Sequence, residues 1–242
     1  MIEFIVPDWP APARVRAVST LRTGGVSRTP YESLNLALHV GDEPDCVLEN
    51  RRRLRAQLGL EHEPAWLKQV HGIGVARAAA AVLPVADATV AEAPGPACAI
   101  LTADCLPVLF ARTDGRRVAA AHAGWRGLSA GVLEATIDAL ATPPRELLAW
   151  LGPAIGPDHF EVGSEVRDAF LRLDPASVAA FRANERRRWQ ADLYRLARQH
   201  LNRAGIDAVY GGGWCTYADA ARCFSYRRDG ECGRMATLIW IE

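Results

Sequence analysis

The sequence predicts an α+β fold in one domain spanning residues 1–242. Three observations carry this expectation. Apolar runs of strand character are joined by short turns, the clearest being "ACAILTADCLPVLFA" and "RRVAAAHAGW" about Asp114 and Gly115, which read as an antiparallel hairpin. Stretches of helical spacing fall between such runs at intervals, without the regular alternation of a doubly wound sheet. The chain, 242 residues and 50% hydrophobic, is long enough to bury a substantial core.

Taken in order, "VRAVSTLR" reads as a strand ending near Arg22, and a long loop marked by Gly24, Gly25, Pro30 and Gly41 follows it. Loops of that length in a compact domain are usually functional or disordered, and the ordered-looking "SLNLALHV" favours the first. Asp45 is the expected cap of a helix through "CVLENRRRLRAQL" that stops at Gly59. "AWLKQVHG" reads as a short apolar strand whose last side chain before Gly72 is His71. "DATVAEAPG" is expected to be a loop leading into the central hairpin. The run 97–111 reads as one strand buried on both faces. After "GWRG" a helix is expected through "LSAGVLEATIDAL" up to Pro143 and Pro144. "ELLAWLGPAIG" reads as a buried strand, and "SEVRDAFLRL" and "DLYRLARQHLNRAG" as helices, the second closed by Gly205. The closing segments "AVYGGGWCTY", "CFSYRRDG" and "RMATLIWIE" read as strands, which puts the C-terminus in a sheet.

Charge and cysteine usage exclude several functions. Lysine plus arginine and aspartate plus glutamate each number 28, so nothing in the balance points to nucleic acid or an anionic membrane. The basic run "RRRLR" at residues 51–55 reads as a solvated helix face. No basic and apolar leader opens the chain, and no apolar stretch reaches membrane-spanning length, so a soluble cytoplasmic protein is expected. The six cysteines form no C-x-x-C pair, which argues against a disulfide scaffold or a zinc ribbon.

Polar residues that interrupt apolar strands mark the candidate chemistry: His71, the adjacent Asp104 and Cys105, and His122. Buried, each needs a partner. Two histidines and a cysteine make three corners of the tetrahedron Zn²⁺ prefers, leaving one for water. Taken singly, each position also matches a hydrogen-bonded core histidine or a small buried thiol, and spacing alone does not make the three converge. "HAGWRG" adds two glycines and Arg126 at a strand-to-helix turn suited to an anion, or to a plain tight turn. Arg22 in "LRTGGVS" and Asn35 in "SLNL" carry the same two readings.

The ordered set "LRTGGVSRTPYESLNLALHVGD", "WLKQVHG", "DATV", "TADCLPVLF", "AAAHAGWRGL", "GPAIG", "FEVGSEV" and "CTY…CFSYRRDGECGRMATLIWI" resembles the YfiH family, also called the laccase-domain or multicopper polyphenol oxidase family. The resemblance covers nearly the whole chain. It implies an α+β domain with a central β-sandwich and flanking helices, similar to the cysteine-dependent toxin deamidases. It places the metal ligands on His71, Cys105 and His122. It implies phosphorolysis of adenosine, inosine and methylthioadenosine and deamination of adenosine, and for bacterial relatives an editing role on peptidoglycan precursors. Two departures stand out: Asp158 and His159 replace cysteines that many relatives carry, making His159 at most an extra ligand, and Cys232 stands where Thr is commoner and reads as a packing residue.

Within that frame, deamination needs an activated water at C6 and a proton carrier, for which Asp104 is the candidate beside a purely supporting duty. Phosphorolysis needs an anion held against the ribose C1′, which suits Arg22 and Arg126, with Asn35 for purine or ribose. The expected cofactor is Zn²⁺, with Cu²⁺ as an alternative, and the expected partners are a purine nucleoside, phosphate and, in the editing reading, a UDP-linked muropeptide. A monomer or weak homodimer is expected. A metal-free hydrolase with Cys105 as nucleophile and His122 as base uses the same residues. A true multicopper oxidase is disfavoured because only six histidines occur and none form an H-x-H pair. A structural zinc site in a binding protein is the weakest alternative, since it would want a fourth ligand.

Overall fold

A computed structural model describes residues 2–79 and 83–242. Thirteen strands and six helices are assigned among them: β1 (Phe4–Ile5), β2 (Val15–Thr20), α1 (Pro44–Leu58), β3 (Val75–Arg77), β4 (Ala88–Ala91), β5 (Cys98–Thr102), β6 (Leu106–Arg112) and β7 (Val118–Ala123). These are followed by α2 (Trp125–Ala130), α3 (Val132–Leu140), β8 (Leu147–Leu151), β9 (Glu161–Val162), α4 (Ser164–Leu173), β10 (Phe181–Ala183), β11 (Trp189–Ala191), α5 (Leu193–Arg203), β12 (Val209–Gly211), α6 (Tyr226–Asp229) and β13 (Met235–Ile241). The first sheet, ordered β1-β2-β13-β5, is antiparallel throughout. The second, ordered β12-β8-β6-β7-β4-β3, is antiparallel in its centre with a parallel strand at each edge. A small third sheet, β10-β11-β9, lies apart from the two.

Strand periodicity builds the layers. In β6, Leu109 and Ala111 point toward the first sheet and meet Val15, Ala17, Ile100, Ile239 and Ile241. The alternate residues Leu106, Val108 and Phe110 point to the other face, against Leu128, Leu133, Ile137, Phe170 and Leu196 of the helices. The outer face of the first sheet, with Val18, Leu101 and Leu238, is covered by Leu34, Leu36, Trp66 and Leu54 of α1. Both sheets are thus buried on both faces. That explains why their central strands read as unbroken apolar runs. The mixture of hairpins and interspersed helices is the predicted α+β arrangement, with the expected β6/β7 hairpin in register from Leu106 opposite Ala123 to Ala111 opposite Val118. Among the described residues no helix is long and apolar enough to cross a membrane.

Several expectations are corrected. The run 97–111 is two strands in different sheets: β5 pairs with β13 and β6 with β7 and β8. The chain crosses between sheets at Ala103, Asp104 and Cys105, with Asp104 in the left-handed region at φ 97°. Residues 65–72 form no strand; two isolated bridges, Ala65 to Cys98 and Lys68 to Val85, tie them down, and His71 has φ 60°. "DATV" leads into strand β4 and is not a loop, since Ala88–Ala91 pair with β7 and Ala88–Val90 with β3. Asp45 does not cap α1: Glu43 precedes the helix, Pro44 fills its first turn, and Asp45 lies inside that turn, where its charge suits the dipole. The helix after "GWRG" is broken into α2 and α3 by Gly131 at φ 100°. "CFSYRRDG" gives the short α6, started by Ser225 accepting from the Arg228 N–H.

Candidate metal centre

The crossover between the sheets, the 65–72 segment and the end of β7 meet at one edge of the sandwich. Pairing of Pro107 with His122 puts His122 beside the start of β6, within reach of Cys105 just ahead of it. The His71 Nε2 lies 3.9 Å from the Cys105 Sγ. One ligand atom from each of His71, Cys105 and His122 falls within 4.8 Å of the others. The two imidazoles meet edge to face, ring centroids 4.8 Å apart. His122 is buried, Cys105 half-buried and His71 exposed, so the cluster has a closed side and an open one. A tetrahedral ion bound at about 2.0–2.3 Å spaces its ligand atoms by roughly 3.5 Å, so a small contraction suffices, and the thiolate–imidazole donor set suits zinc or another borderline-soft metal.

Asp87, which enters the apolar strand β4, organises the cluster. Its Oδ1 meets the His122 Nδ1 at 2.8 Å and accepts from the His71 N–H at 2.9 Å. Its Oδ2 accepts from the N–H groups of Val70 and Gly72 at 3.1 and 2.7 Å. The His122 N–H also donates to the Asp87 carbonyl at 2.7 Å. One wholly buried carboxylate therefore holds the loop that carries His71 and orients His122 with Nε2 toward Cys105. Burial pushes the Asp87 carboxyl up, but the His122 and backbone donors outweigh it and leave it below its usual range. Burial likewise raises the Cys105 thiol, yet the neighbouring His122 charge and hydrogen bonds from both imidazoles bring it down. His122 responds in the opposite sense: burial disfavours its charge, but Cys105 and Asp87 raise it overall. Without a metal the pair therefore favours thiolate and imidazolium.

Gly124, after His122, lets the backbone pass against the cluster. A Cβ there would fall 2.8 Å from the Cys105 Sγ and 3.2 Å from the His71 Cδ2. Beyond the cluster opens a cavity of about 570 Å³ whose wall includes Arg126, Arg227 and Arg234. Each guanidinium lies over an aromatic ring: Arg126 over Trp125 at 4.5 Å, Arg227 over Phe160 at 5.5 Å and Arg234 over Tyr226 at 5.6 Å. Among the described residues none of the three makes an ion pair with a carboxylate, whereas Arg52, Arg77, Arg112 and Arg222 all do. Among the described residues Asp104 is the one carboxylate in the cavity wall.

The expected site residues divide accordingly. His71, Cys105, His122, Asp104 and Arg126 border this cavity, and Arg22 and Asn35 do not. Asn35 is fully buried and spent on structure: its amide donates to the Ala37 carbonyl and the Asp42 carboxylate and accepts from the Ala37 and Arg234 N–H groups. Arg22 donates to the carbonyls of Glu32 and Ala220 and covers the Phe224 ring. Asp104 accepts from the Thr216 hydroxyl at 2.6 Å and the Arg227 N–H at 2.7 Å. His159 lies outside the cluster, stacked on Tyr217 and 3.3 Å from the Cys215 Sγ. Cys232 is buried in a small core with Cys223 and Phe224, the expected packing role. Asp87, Arg227 and Arg234 are the residues that sequence reasoning passed over, while Gly124 was read only as part of the turn after His122 and not as the close approach to Cys105. The available signals were an acid entering an apolar strand and a basic cluster, "YRRDGECGR", beside an apolar one.

Residues 16–242 match the family described as multi-copper polyphenol oxidoreductase laccase. The chain belongs to that family. A purine nucleoside phosphorylase of Pseudomonas aeruginosa is 57% identical over 244 residues, covering all of both chains. The Escherichia coli protein named purine nucleoside phosphorylase YfiH is 52% identical over 243 residues, again covering both in full. Among solved structures, a Neisseria meningitidis protein superposes with TM-score 0.94 at 51% identity, covering 99% of each chain. YlmD from Geobacillus stearothermophilus gives 0.90 at 31% identity, over 95% of this chain and 93% of its own. The predicted family is thus the family found.

Proposed function

We propose that the protein is a zinc-dependent purine nucleoside enzyme that phosphorolyses adenosine, inosine and methylthioadenosine and deaminates adenosine. The names of its relatives support the first activity. The observation that carries the reading is the shared cavity: the His71, Cys105 and His122 cluster and three arginines without carboxylate partners face one space. His71 Nε2, Cys105 Sγ and His122 Nε2 would hold the ion. Bound there, Zn²⁺ supplies Lewis acidity that lowers the pKa of a water to near neutral.

The residues of the chain do the rest. Arg126, Arg227 and Arg234 hold phosphate and aim one of its oxygens at C1′. As the new C1′–O bond forms, the C1′–N9 bond breaks, its electron pair passes to the purine, and the base leaves with the proton that the phosphate gives up. The products are free base and ribose 1-phosphate. In deamination, water adds at C6 and the amine leaves as ammonia. Asp104, in the cavity wall next to Cys105, is the proton carrier for that transfer; its carboxylate accepts from the Thr216 hydroxyl and the Arg227 backbone N–H. Trp125, Phe160 and Tyr226 supply ring surface against which a purine packs.

The thiolate–imidazolium tendency of Cys105 and His122 supports a second reading, a metal-free thiol hydrolase acting on an amide such as that of a UDP-linked muropeptide. One experiment separates them. Protein stripped by a chelator and reloaded with Zn²⁺ is offered adenosine with and without phosphate, inosine, methylthioadenosine and the muropeptide. Zinc-dependent release of adenine and ribose 1-phosphate, together with inosine, is the expected result. Full activity in metal-free protein would overturn the zinc reading, and muropeptide cleavage alone would overturn the nucleoside one.

A further inference from the structure

A second groove, of about 690 Å³, adjoins the candidate site. His39, Gln69 and Leu101 line both spaces, so the two share a wall. Its wall contains Trp66, which is 5% exposed, and its rim carries Leu38, Leu48 and Leu83, which are 46%, 53% and 61% exposed. Leu48 is informative as a sequence position. The buried face of α1 is Val47, Asn50 and Leu54, so packing of the helix does not call for a leucine at 48.

Three of the polar side chains around this groove, Arg51, Trp66 and Gln69, are satisfied within its wall, and His39 and Lys68 are further polar residues of the lining. The Arg51 guanidinium lies 4.2 Å over the Trp66 ring and donates from Nε and Nη2 to the Leu36 carbonyl at 3.0 and 2.8 Å. Trp66 Nε1 donates to Glu63 at 2.7 Å. The Gln69 amide donates to the Leu101 carbonyl at 2.9 Å and accepts from its N–H at 2.8 Å. The groove therefore offers mainly apolar area beside a cavity whose wall holds three guanidiniums, two of which, Arg227 and Arg234, already donate from Nη1 to backbone carbonyls. We infer that it is a subsite for the apolar tail of an amphiphilic ligand whose polar head occupies the arginine-lined cavity. Resting on the proposed function, that ligand is a purine nucleoside bearing an extended apolar substituent.

The test measures Kd by calorimetry for 5′-alkylthio-adenosines from methyl to hexyl and, in parallel, for n-alkyl phosphates, whose heads need only the arginines. Each added methylene is expected to tighten binding about fourfold until the groove is filled, the equivalent of ~0.8 kcal/mol per buried CH₂. Leu48→Glu and Leu38→Ser, both at exposed positions, should flatten the series and leave the methyl compounds unchanged, with thermal unfolding confirming the fold. Series that are flat in the unaltered protein, or equally steep in the variants, overturn the inference. So does a dimer, seen by sedimentation, that Leu48→Glu converts to monomer, since a second copy would then cover the groove. Alkyl phosphates that tighten without any nucleoside binding sink the nucleoside reading and leave the subsite standing. Nucleoside turnover with both series flat does the reverse.

Discussion

Replacing Asp87 by Asn removes one charge and keeps the shape, and the geometry leaves the amide no good orientation. If its NH₂ takes the place of Oδ2, it faces the N–H groups of Val70 and Gly72, and both bonds are lost. If it takes the place of Oδ1, it faces the His71 N–H and forces His122 Nδ1 to accept. The ring proton then moves to Nε2, the nitrogen that faces Cys105, and that nitrogen can no longer bind a metal. Either way about two bonds to a charged acceptor disappear. At ~1.5–3 kcal/mol each, the loss is about 3–6 kcal/mol. For a chain of this length, that lowers Tm by roughly 6–24 °C. Zinc affinity, read by competition with a chromophoric chelator, should fall at least ~10–100-fold, the usual penalty for losing a carboxylate behind a ligand histidine. If Asp87→Asn binds zinc within about threefold of the unaltered protein, the claim that this carboxylate sets the tautomer and the His71 loop is wrong.

Gly124→Ala should separate the site from the fold. Its Cβ would lie 2.8 Å from the Cys105 Sγ, roughly 0.7 Å inside ordinary contact and far outside the ~0.2 Å tolerance of a metal site. Metal content measured on folded protein should fall sharply, and stoichiometric zinc in the variant would refute the contact. Arg126→Ala should raise the KM for phosphate by about 10–100-fold, the worth of one charge-assisted contact, with adenosine deamination changed far less; equal loss of both would make the arginine structural. Glu134 is held below its usual range because His200, with the Glu134 backbone N–H and Arg203, outweighs the upward push of burial. A carboxyl so depressed stabilises the fold fully above its unfolded value of about 4.3, and loses that effect as pH falls through the folded value. The Tm deficit of Glu134→Gln should therefore be present at pH 7 and fade toward pH 3. A deficit independent of pH would exclude the Glu134 charge as its source.

The residue types of the metal cluster were legible because burial makes a lone imidazole or thiol conspicuous in an apolar strand. Their convergence was not, because it depends on a crossover that the sequence hides. The run 97–111 is apolar on both sides of Asp104 and Cys105, and burial of both sheets on both faces erases the alternation that would have marked two strands. The 65–72 segment misled for a related reason. Its apolar residues Ala65, Trp66 and Leu67 are buried, but bridges and the Asp87 carboxylate fix them, not a strand ladder. Asn35 shows the converse failure. A polar break in an apolar stretch looked like a ligand contact, yet all its amide groups serve the 35–42 loop and the Arg234 backbone. Polar residues in cores mark a demand for partners, and only the fold says whether protein or ligand meets it.

The family's description raises one more question, whether several coppers could work here. An oxidase that passes electrons to oxygen needs a set of histidine-rich centres, and the chain has six histidines in all. His200 is buried and pairs with Glu134, and His159 stacks on Tyr217 beside Cys215. His39 lines the cavity wall, where burial and the charges of Arg234 and Arg51 hold its imidazole toward the neutral form. Among the described residues, His71, Cys105 and His122 form the only cluster able to hold an ion. A single three-ligand centre next to an arginine-lined cavity has the means to polarise one bond and bind one anion. Among the described residues no second cluster accompanies it, and multi-electron oxygen reduction requires one, so the chemistry to test first is group transfer.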